Sequence, residues 1–338
     1  MNLDALAATA QKMVANNRGL LAIDESDGTI KKRFDTISVP STEENRRDYR
    51  ANLMRADGLG RYIGGAILFD ETLRQSAADG TKIVDLIKAQ GIVPGIKVDK
   101  GTKPLAGFPG ETATEGLDGL AARVDEYVAL GAGFAKWRAV IHIGDGYPTP
   151  TGIEANAHGL ARYARICQEG GLVPVVEPEV LMDGSHDIDT CQRVTEATLD
   201  AVFAALKAHG VALEGMILKP NMVIAGSDCK AQAGTDEIAA KTVATLRRCV
   251  PAAMPGITFL SGGQTEVEAT VNLGAMNAQF GPNPWKLSFS YGRALQASAL
   301  KAWGGKTENE AAARDALLQR ARLNSQACAG TYAGEGAD

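Results

Sequence analysis

Three observations predict an α/β fold of the (β/α)8 TIM-barrel class, with eight parallel strands, an extra N-terminal helix and C-terminal helices. Eight short apolar runs recur along 338 residues, helical patterns with legible ends lie between them, and no Pro/Ser-rich linker intervenes. Alternating strands and helices require parallel strands joined by crossovers, and barrels routinely exceed the usual domain length. One barrel domain over residues 1–338 is expected, with a mobile Gly-rich tail at 330–338.

The first helix is read from a stripe of Leu3, Leu6, Ala7, Ala10, Met13 and Val14, stopped by Arg18-Gly19. The strand-like runs are Gly19 to Ser26, Gly64 to Glu71, Ile92 to Lys100, Phe134 to Ile141, Leu172 to Val180, Gly215 to Asn221, Ile257 to Gly263 and Lys286 to Gly292. Capping boxes are expected at Ser41-Thr42-Glu43-Glu44 and at Thr112-Ala113-Thr114-Glu115. The second would open a helix with Leu117, Leu120, Ala121, Val124 and Val128 on one face, closed by Gly131. Thr190 precedes a stripe through Val194, Ala197, Ala201 and Ala205 to His209-Gly210; Thr235 opens another through Ile238, Thr242 and Leu246. Thr307-Glu308-Asn309-Glu310 caps a long last helix past Leu317, Ala321 and Asn324. The Gly/Pro-rich loop from Gly101 to Gly110 follows the third strand and so belongs to the catalytic side.

Composition narrows the partners. Hydrophobic residues are 45% and charged ones 22%, enough for a large buried core. A formal charge of -5 argues against nucleic acid but permits a small anion at a local basic cluster. Cys167, Cys191, Cys229, Cys249 and Cys328 are odd in number and form no Cys-x-x-Cys pair, which suggests reduced thiols. His142, His158, His186 and His209 have no metal-ligand spacing, so no metal or other cofactor is expected. No apolar run nears the roughly 20 residues of a membrane span and no signal-like segment opens the chain, so a cytoplasmic protein is expected, with no membrane partner.

Ionisable residues fall where barrel chemistry sits, at the C-terminal ends of the strands. Asp24 and Ser26 end the first run, Lys97 and Asp99 the third, Lys136 and Arg138 the fourth, Glu177 and Glu179 the fifth, and Lys219 the sixth. Members of each pair are two apart and share a face. Upstream residues of the same parity, including Leu20, Ala22, Val93, Gly95, Phe134, Val173, Val175 and Ile217, are small or apolar, as an inward set should be. Lys219 ends a buried strand between Leu218 and Pro220; burial, and a cationic neighbour such as Lys136, would favour a neutral amine able to attack a carbonyl. Taken singly, Lys219 could equally snorkel into water, and the other charges could form a rim ion-pair network. Three lysines, an arginine and four acids on one rim are costly to desolvate and point to a site. Leu260-Ser261-Gly262-Gly263-Gln264 and Ser288-Phe289-Ser290-Tyr291-Gly292-Arg293 suit an anion held by backbone N–H groups after strands seven and eight. Ser26-Asp27-Gly28-Thr29 with Lys32 and Arg33 suggests a second anion site.

Seven motifs in order, Ala22-Ile23-Asp24-Glu25-Ser26, Gly95-Ile96-Lys97-Val98-Asp99-Lys100-Gly101, Phe134-Ala135-Lys136-Trp137-Arg138, Val176-Glu177-Pro178-Glu179, Leu218-Lys219-Pro220-Asn221, Leu260 to Gln264, and Ser290 to Gln296, resemble class I fructose-bisphosphate aldolase. The resemblance runs from the first helix to about Tyr332. It implies a homotetrameric (β/α)8 barrel that cleaves fructose 1,6-bisphosphate to dihydroxyacetone phosphate and glyceraldehyde 3-phosphate in glycolysis, and runs in reverse in gluconeogenesis. It makes Lys219 the Schiff-base lysine, Lys136 its cationic assistant and Glu177 the acid/base that dehydrates the carbinolamine. Asp24 helps deprotonate the C4 hydroxyl, the choice of base between it and Glu177 being left open. Glu179 and Arg138 are implied to hold the two lysines. Ser261, Gly262, Gly292 and Arg293 match the inner phosphate region, Ser26, Thr29 and Lys97 the outer one, to which Arg138 is also implied to contribute, and Ser290 is a further candidate for binding substrate or phosphate. Thr29 stands where serine is common. Animal members carry a longer tail ending in tyrosine, whereas this sequence ends Gly336-Ala337-Asp338, which leaves open the group that moves the C3 proton. Two rival readings are a transaldolase-like enzyme acting on monophosphorylated sugars and a non-catalytic phosphosugar-binding barrel.

Overall fold

The computed structural model describes residues 1–336; residues 337 and 338 of the expected mobile tail lie outside the described residues. Among these, the strands are β1 (Gly19–Ile23), β2 (Ile63–Leu68), β3 (Val93–Lys97), β4 (Thr102–Pro104), β5 (Thr112–Thr114), β6 (Phe134–Ile141), β7 (Val173–Val180), β8 (Ile217–Leu218), β9 (Gly256–Phe259) and β10 (Lys286–Tyr291). Eight of them close a barrel in the order β1-β10-β9-β8-β7-β6-β3-β2. Every pairing in the ring is parallel. These eight are the eight apolar runs. Six end earlier than the pattern predicts, because polar residues such as Asp24, Ser26 and Asp99 leave the ladder and line the loops at its mouth.

Burial on both faces explains why the runs are nearly continuous in apolar residues. Inward residues Leu20, Ala22, Ile67, Val93, Phe134, Val173, Val175 and Ile217 form one cluster with Leu6, Ala10, Met13 and Val14 of the first helix, Leu3–Val14. That helix therefore plugs the end of the barrel opposite the site. The Phe134 ring fills the interior so tightly that a Cβ at Gly95 would fall inside it, and one at Gly65 would press on it. Outside, Trp137 of β6 stacks on Tyr163 of helix Pro150–Glu169, ring centroids 5.5 Å apart. The Tyr163 hydroxyl lies 2.8 Å from the Ala135 carbonyl oxygen and 3.0 Å from that of Val175, fastening the helix to two strands.

Several expected helix starts are corrected. Residues 112–114 form a strand paired with Thr102–Pro104, so the Gly/Pro-rich loop after β3 carries a hairpin and no capping box. The following helix is Leu120–Ala129, with Leu120, Val124 and Tyr127 buried and Val128 exposed. Thr42 caps helix Glu43–Met54 alone, because Asn45, not a glutamate, occupies the third helical position. Asp187, not Thr190, caps helix Ile188–Ala208. A true capping box that the sequence reading misses joins Thr265 and Glu268 at helix Glu266–Phe280. After the last helix, Glu310–Cys328, the chain turns back: Arg320 pairs with Glu335, and the Tyr332 hydroxyl donates to Glu335 at 2.6 Å. All five cysteines are free thiols, and no helix among the described residues is long and apolar enough to cross a membrane.

The Gly95–Phe134 fit gives a measurable expectation. Gly95→Ala should lower stability in denaturant unfolding by about 1–3 kcal/mol, the usual cost of overpacking, and Phe134→Leu in the same chain should recover part of it. Equal stability of Gly95→Ala and wild type would contradict the packing described.

Candidate active site

The mouth of the barrel opens into a cavity of about 1590 Å³ whose walls carry all the candidate catalytic and phosphate-binding residues named above for the strand ends and anion regions: Asp24, Ser26, Thr29, Lys97, Lys136, Arg138, Glu177, Glu179, Lys219, Ser261, Gly262, Ser290, Gly292 and Arg293. Register explains how they meet. Lys97 lies opposite Lys136 across β3 and β6, and Arg138 lies opposite Glu177 across β6 and β7. Val175 pairs with Ile217 and Val176 with Leu218, which brings Lys219 alongside Glu177. The Lys219 N–H prolongs that ladder by donating to the Val176 carbonyl at 2.8 Å. Asn221 then fixes the chain: its Oδ1 accepts from the Val180 N–H at 3.0 Å and its amide donates to Thr195 Oγ1 at 3.2 Å.

At the centre Glu177 bridges two lysines. Its Oε1 is 3.0 Å from Lys219 Nζ and its Oε2 is 2.8 Å from Lys136 Nζ, both as ion pairs. Lys136 also donates to Asp24 Oδ2 at 3.0 Å. All four side chains are at least nine-tenths buried or nearly so, and two cations face two anions with little water to screen them. Burial alone would raise the Asp24 carboxyl, but Lys136 and Lys219 overcome it and hold it at about 2. Burial likewise opposes ionisation of Glu177, and the charges of Lys136, Lys219 and Arg138 leave its carboxyl below the ordinary range. Burial disfavours the Lys136 ammonium, but Asp24, Glu177 and Asp99 more than restore it. Lys136 is a fixed cation here.

One expected contact is corrected. Glu179 does not grip the lysines; it pairs with Arg138 on the neighbouring strand, because the side chains one step further along β6 and β7 meet each other. The task of holding both lysines falls to Glu177, with Asp24 on the second. Lys97 donates to the carbonyl of Asp99 at 3.0 Å and to its carboxylate. The Asp99 carboxylate further accepts from the N–H groups of Gly101 at 3.1 Å and Arg138 at 3.2 Å.

The anion candidates surround this centre. Ser261, Gly262 and Gly263 form the turn after β9, with Gly263 at φ +75°. Gly292 begins helix Arg293–Trp303 with no side-chain cap, and the buried Ser290 Oγ has no hydrogen-bond partner. Ser26 likewise starts helix Asp27–Asp35 without a side-chain cap, its Oγ 3.2 Å from Thr29 Oγ1. Arg33 Nη2 would stand 3.3 Å from a Cβ at Gly292, so Arg33 leans from the first-strand loop toward the last. It pairs there with Glu25, which the sequence reading quotes only within a motif. Glu25 also accepts from Gln296 at 2.9 Å and faces the fully buried Arg50 at 3.5 Å. Glu25 and Gln296 are what residue patterns missed. Their partners lie far along the chain, and only position within a motif marks them.

Other expected groups lie elsewhere. Tyr332 is not on the cavity wall; burial and Glu335 push its hydroxyl up to about 12. His209 ends its helix as expected and faces His158, ring nitrogens 3.3 Å apart. Among the described residues no three His, Cys, Asp or Glu side chains are grouped to hold a metal ion.

The protein-family model described as fructose-bisphosphate aldolase class-I matches residues 5–338. The probable fructose-bisphosphate aldolase class 1 of Xanthomonas axonopodis pv. citri (strain 306) is 56% identical over 335 residues, covering 99% of this chain and 100% of that protein. Fructose-bisphosphate aldolase 1 of Toxoplasma gondii is 58% identical over 331 residues, 97% of this chain and 91% of its own length. A crystal structure of fructose-bisphosphate aldolase from Plasmodium falciparum, in complex with TRAP and a small molecule inhibitor, superposes with a TM-score of 0.97 at 55% identity. That match covers 98% of this chain and 96% of the other.

The buried charges make stability depend on pH. The Asp24 carboxyl falls from 3.8 to about 2 on folding, so the unfolded chain binds the extra proton between those values. Its contribution is complete above about pH 4 and lost as pH drops through about 2, an amount of ~2 kcal/mol at 1.36 kcal/mol per unit. Asp24→Asn should therefore lose less stability than wild type between pH 4 and pH 2 in denaturant titrations. Parallel acid profiles would contradict the lowered carboxyl.

Proposed function

This chain belongs to the class I fructose-bisphosphate aldolase family, and on that premise we propose that Lys219 forms the Schiff base, with Glu177, Lys136 and Asp24 moving or stabilising its protons. The enzyme is a metal-independent lyase that reversibly cleaves fructose 1,6-bisphosphate to dihydroxyacetone phosphate and glyceraldehyde 3-phosphate. The observation that carries the residue assignment is the Glu177 carboxylate, 3.0 Å from Lys219 Nζ and 2.8 Å from Lys136 Nζ.

In this reading Glu177 takes a proton from the Lys219 ammonium paired with it, the freed amine adds to the C2 carbonyl of the ketose, and Lys136 stabilises the oxygen as it gains charge. Glu177, against Lys219 Nζ, delivers a proton to the C2 hydroxyl, which leaves as water and gives the protonated imine. Asp24, held as a carboxylate, takes the proton of the C4 hydroxyl. The C3–C4 bond then breaks: its electron pair flows into the imine to form an enamine, and glyceraldehyde 3-phosphate departs. Protonation at C3 and hydrolysis of the imine return Lys219 and release dihydroxyacetone phosphate. Ser261, Gly262, Ser290, Gly292 and Arg293 would hold the inner phosphate, and Ser26, Thr29, Lys97 and Arg138 the outer. β9 and β3 stand four places apart in a ring of eight, so Ser261 and Lys97 face each other across the mouth, as a sugar charged at both ends requires. Glu179 serves by orienting Arg138.

Cytoplasmic residence and a homotetramer belong to the same proposal. Relatives named as cytosolic in Arabidopsis thaliana and as a cytoplasmic isozyme in Pisum sativum, both 56% identical, support the first. The tetramer rests on the family resemblance. A role in glycolysis and gluconeogenesis follows from the reaction.

Borohydride trapping with dihydroxyacetone phosphate, in the presence of a chelator and followed by peptide mapping, should place a reduced adduct on Lys219. An adduct elsewhere would move the nucleophile. Lys219→Met should fold and leave no detectable cleavage. Glu177→Gln should slow carbinolamine dehydration by roughly 10²–10⁴-fold, the usual worth of a positioned acid; unchanged single-turnover kinetics would remove Glu177 from the mechanism.

A further inference from the structure

We propose that Asp99 is a positioning residue that sets the enzyme's preference for a substrate phosphorylated at both ends, by fixing the ammonium of Lys97 at the edge of the cavity. The inference rests on the reading of Lys97 as an outer-phosphate contact. Asp99 follows β3 by two residues and is buried, and both oxygens of its carboxylate are already engaged. Lys97 and the Gly101 N–H occupy one oxygen, and the Arg138 N–H the other. A carboxylate so engaged is a fixed acceptor and not a general base.

The consequence for Lys97 is directional. An ammonium has three N–H donors. Two are taken by the Asp99 carboxylate and carbonyl, which leaves one for a ligand. The Lys97 side chain keeps 16% of its surface exposed and lines the cavity, whereas Asp99 beneath it is at 3%. A free lysine would lose rotamer entropy on gripping a phosphate; here that ordering is already done. Because Asp99 also ties the Gly101 and Arg138 backbones, it joins the hairpin loop to β6 on the side of the mouth that faces Ser261.

The test compares fructose 1,6-bisphosphate with fructose 1-phosphate, which lacks the outer phosphate. For Asp99→Asn, kcat/KM should fall about tenfold or more further for the bisphosphate than for the monophosphate, the order of one charge-assisted contact. Adding Asp99→Asn to Lys97→Met should change that ratio by less than about twofold, since the two act through one contact. Equal losses on both substrates would overturn the proposal and make Asp99 a structural residue. If Lys97→Met itself fails to discriminate between the substrates, the outer-phosphate reading of Lys97 fails first, and the two failures are told apart. Should Asp99→Asn not fold, Asp99→Glu keeps the charge but displaces the ammonium by about one methylene; a smaller loss confined to the bisphosphate is then expected, and equal losses overturn the proposal.

Discussion

Two lysines share one buried carboxylate, and the rest of the structure serves to make that arrangement tolerable. Glu177 alone between Lys136 and Lys219 would leave a surplus positive charge in a poor solvent; Asp24 supplies the second anion from across the ring. Removing one member of a buried charge cluster typically costs about 3–5 kcal/mol, because the remaining charges lose both water and partner. Such a cluster is weak as a stabilising device. In the proposed mechanism its value lies in poise: the nucleophilic amine of Lys219 and the cation of Lys136 each stand within one hydrogen-bond length of the proton carrier Glu177 before any substrate arrives.

Holding those groups still is the work of the barrel. β6, β7 and β8 are neighbours in the ring, so Lys136 and Glu177 within their strands and Lys219 just past β8 come together without any loop having to reach. Phe134, packed against Gly65 and Gly95, fills the interior below, and the N-terminal helix seals the far end with Leu6, Ala10, Met13 and Val14. Charge is thus confined to one mouth. Around it lies a rim of paired ions, Arg138 with Glu179, Lys97 with Asp99, and Arg33 with Glu25, in which each cation is both aimed and partly neutralised. A doubly anionic ligand can recruit such cations without their repelling one another in its absence.

In the proposed reading, the loops divide the labour between the two ends of the substrate. Backbone N–H groups after β9 and at the start of helix Arg293–Trp303, with the unpartnered Ser290 hydroxyl, make an uncharged inner cradle to which Arg293 adds charge. The opposite rim depends on the side chains of Lys97 and Arg138, which need carboxylates to hold them. Rigid backbone near the reacting carbon and adjustable side chains at the far end suit a site that positions the ketone carbon first.

Much of this was legible in the residue order. Eight apolar runs marked the barrel strands, and the spacing of two within Lys136/Arg138 and Glu177/Glu179 placed each pair on one inward face, because strand periodicity is local. The motifs around Lys219 and Ser261 carried the family resemblance. What the sequence could not determine was partnership. That Glu177 rather than Glu179 bridges the lysines depends on the register between β6, β7 and β8, and the hairpin at 102–114 replaced an expected helix start because Thr112–Thr114 found a strand to pair with. Arg50 and Gln296 converge on Glu25 from 25 and 271 residues away. Local chemistry fixes which residues face inward; only closure of the ring decides which charges meet, because an ion pair depends on distance in space and the chain records only distance along itself.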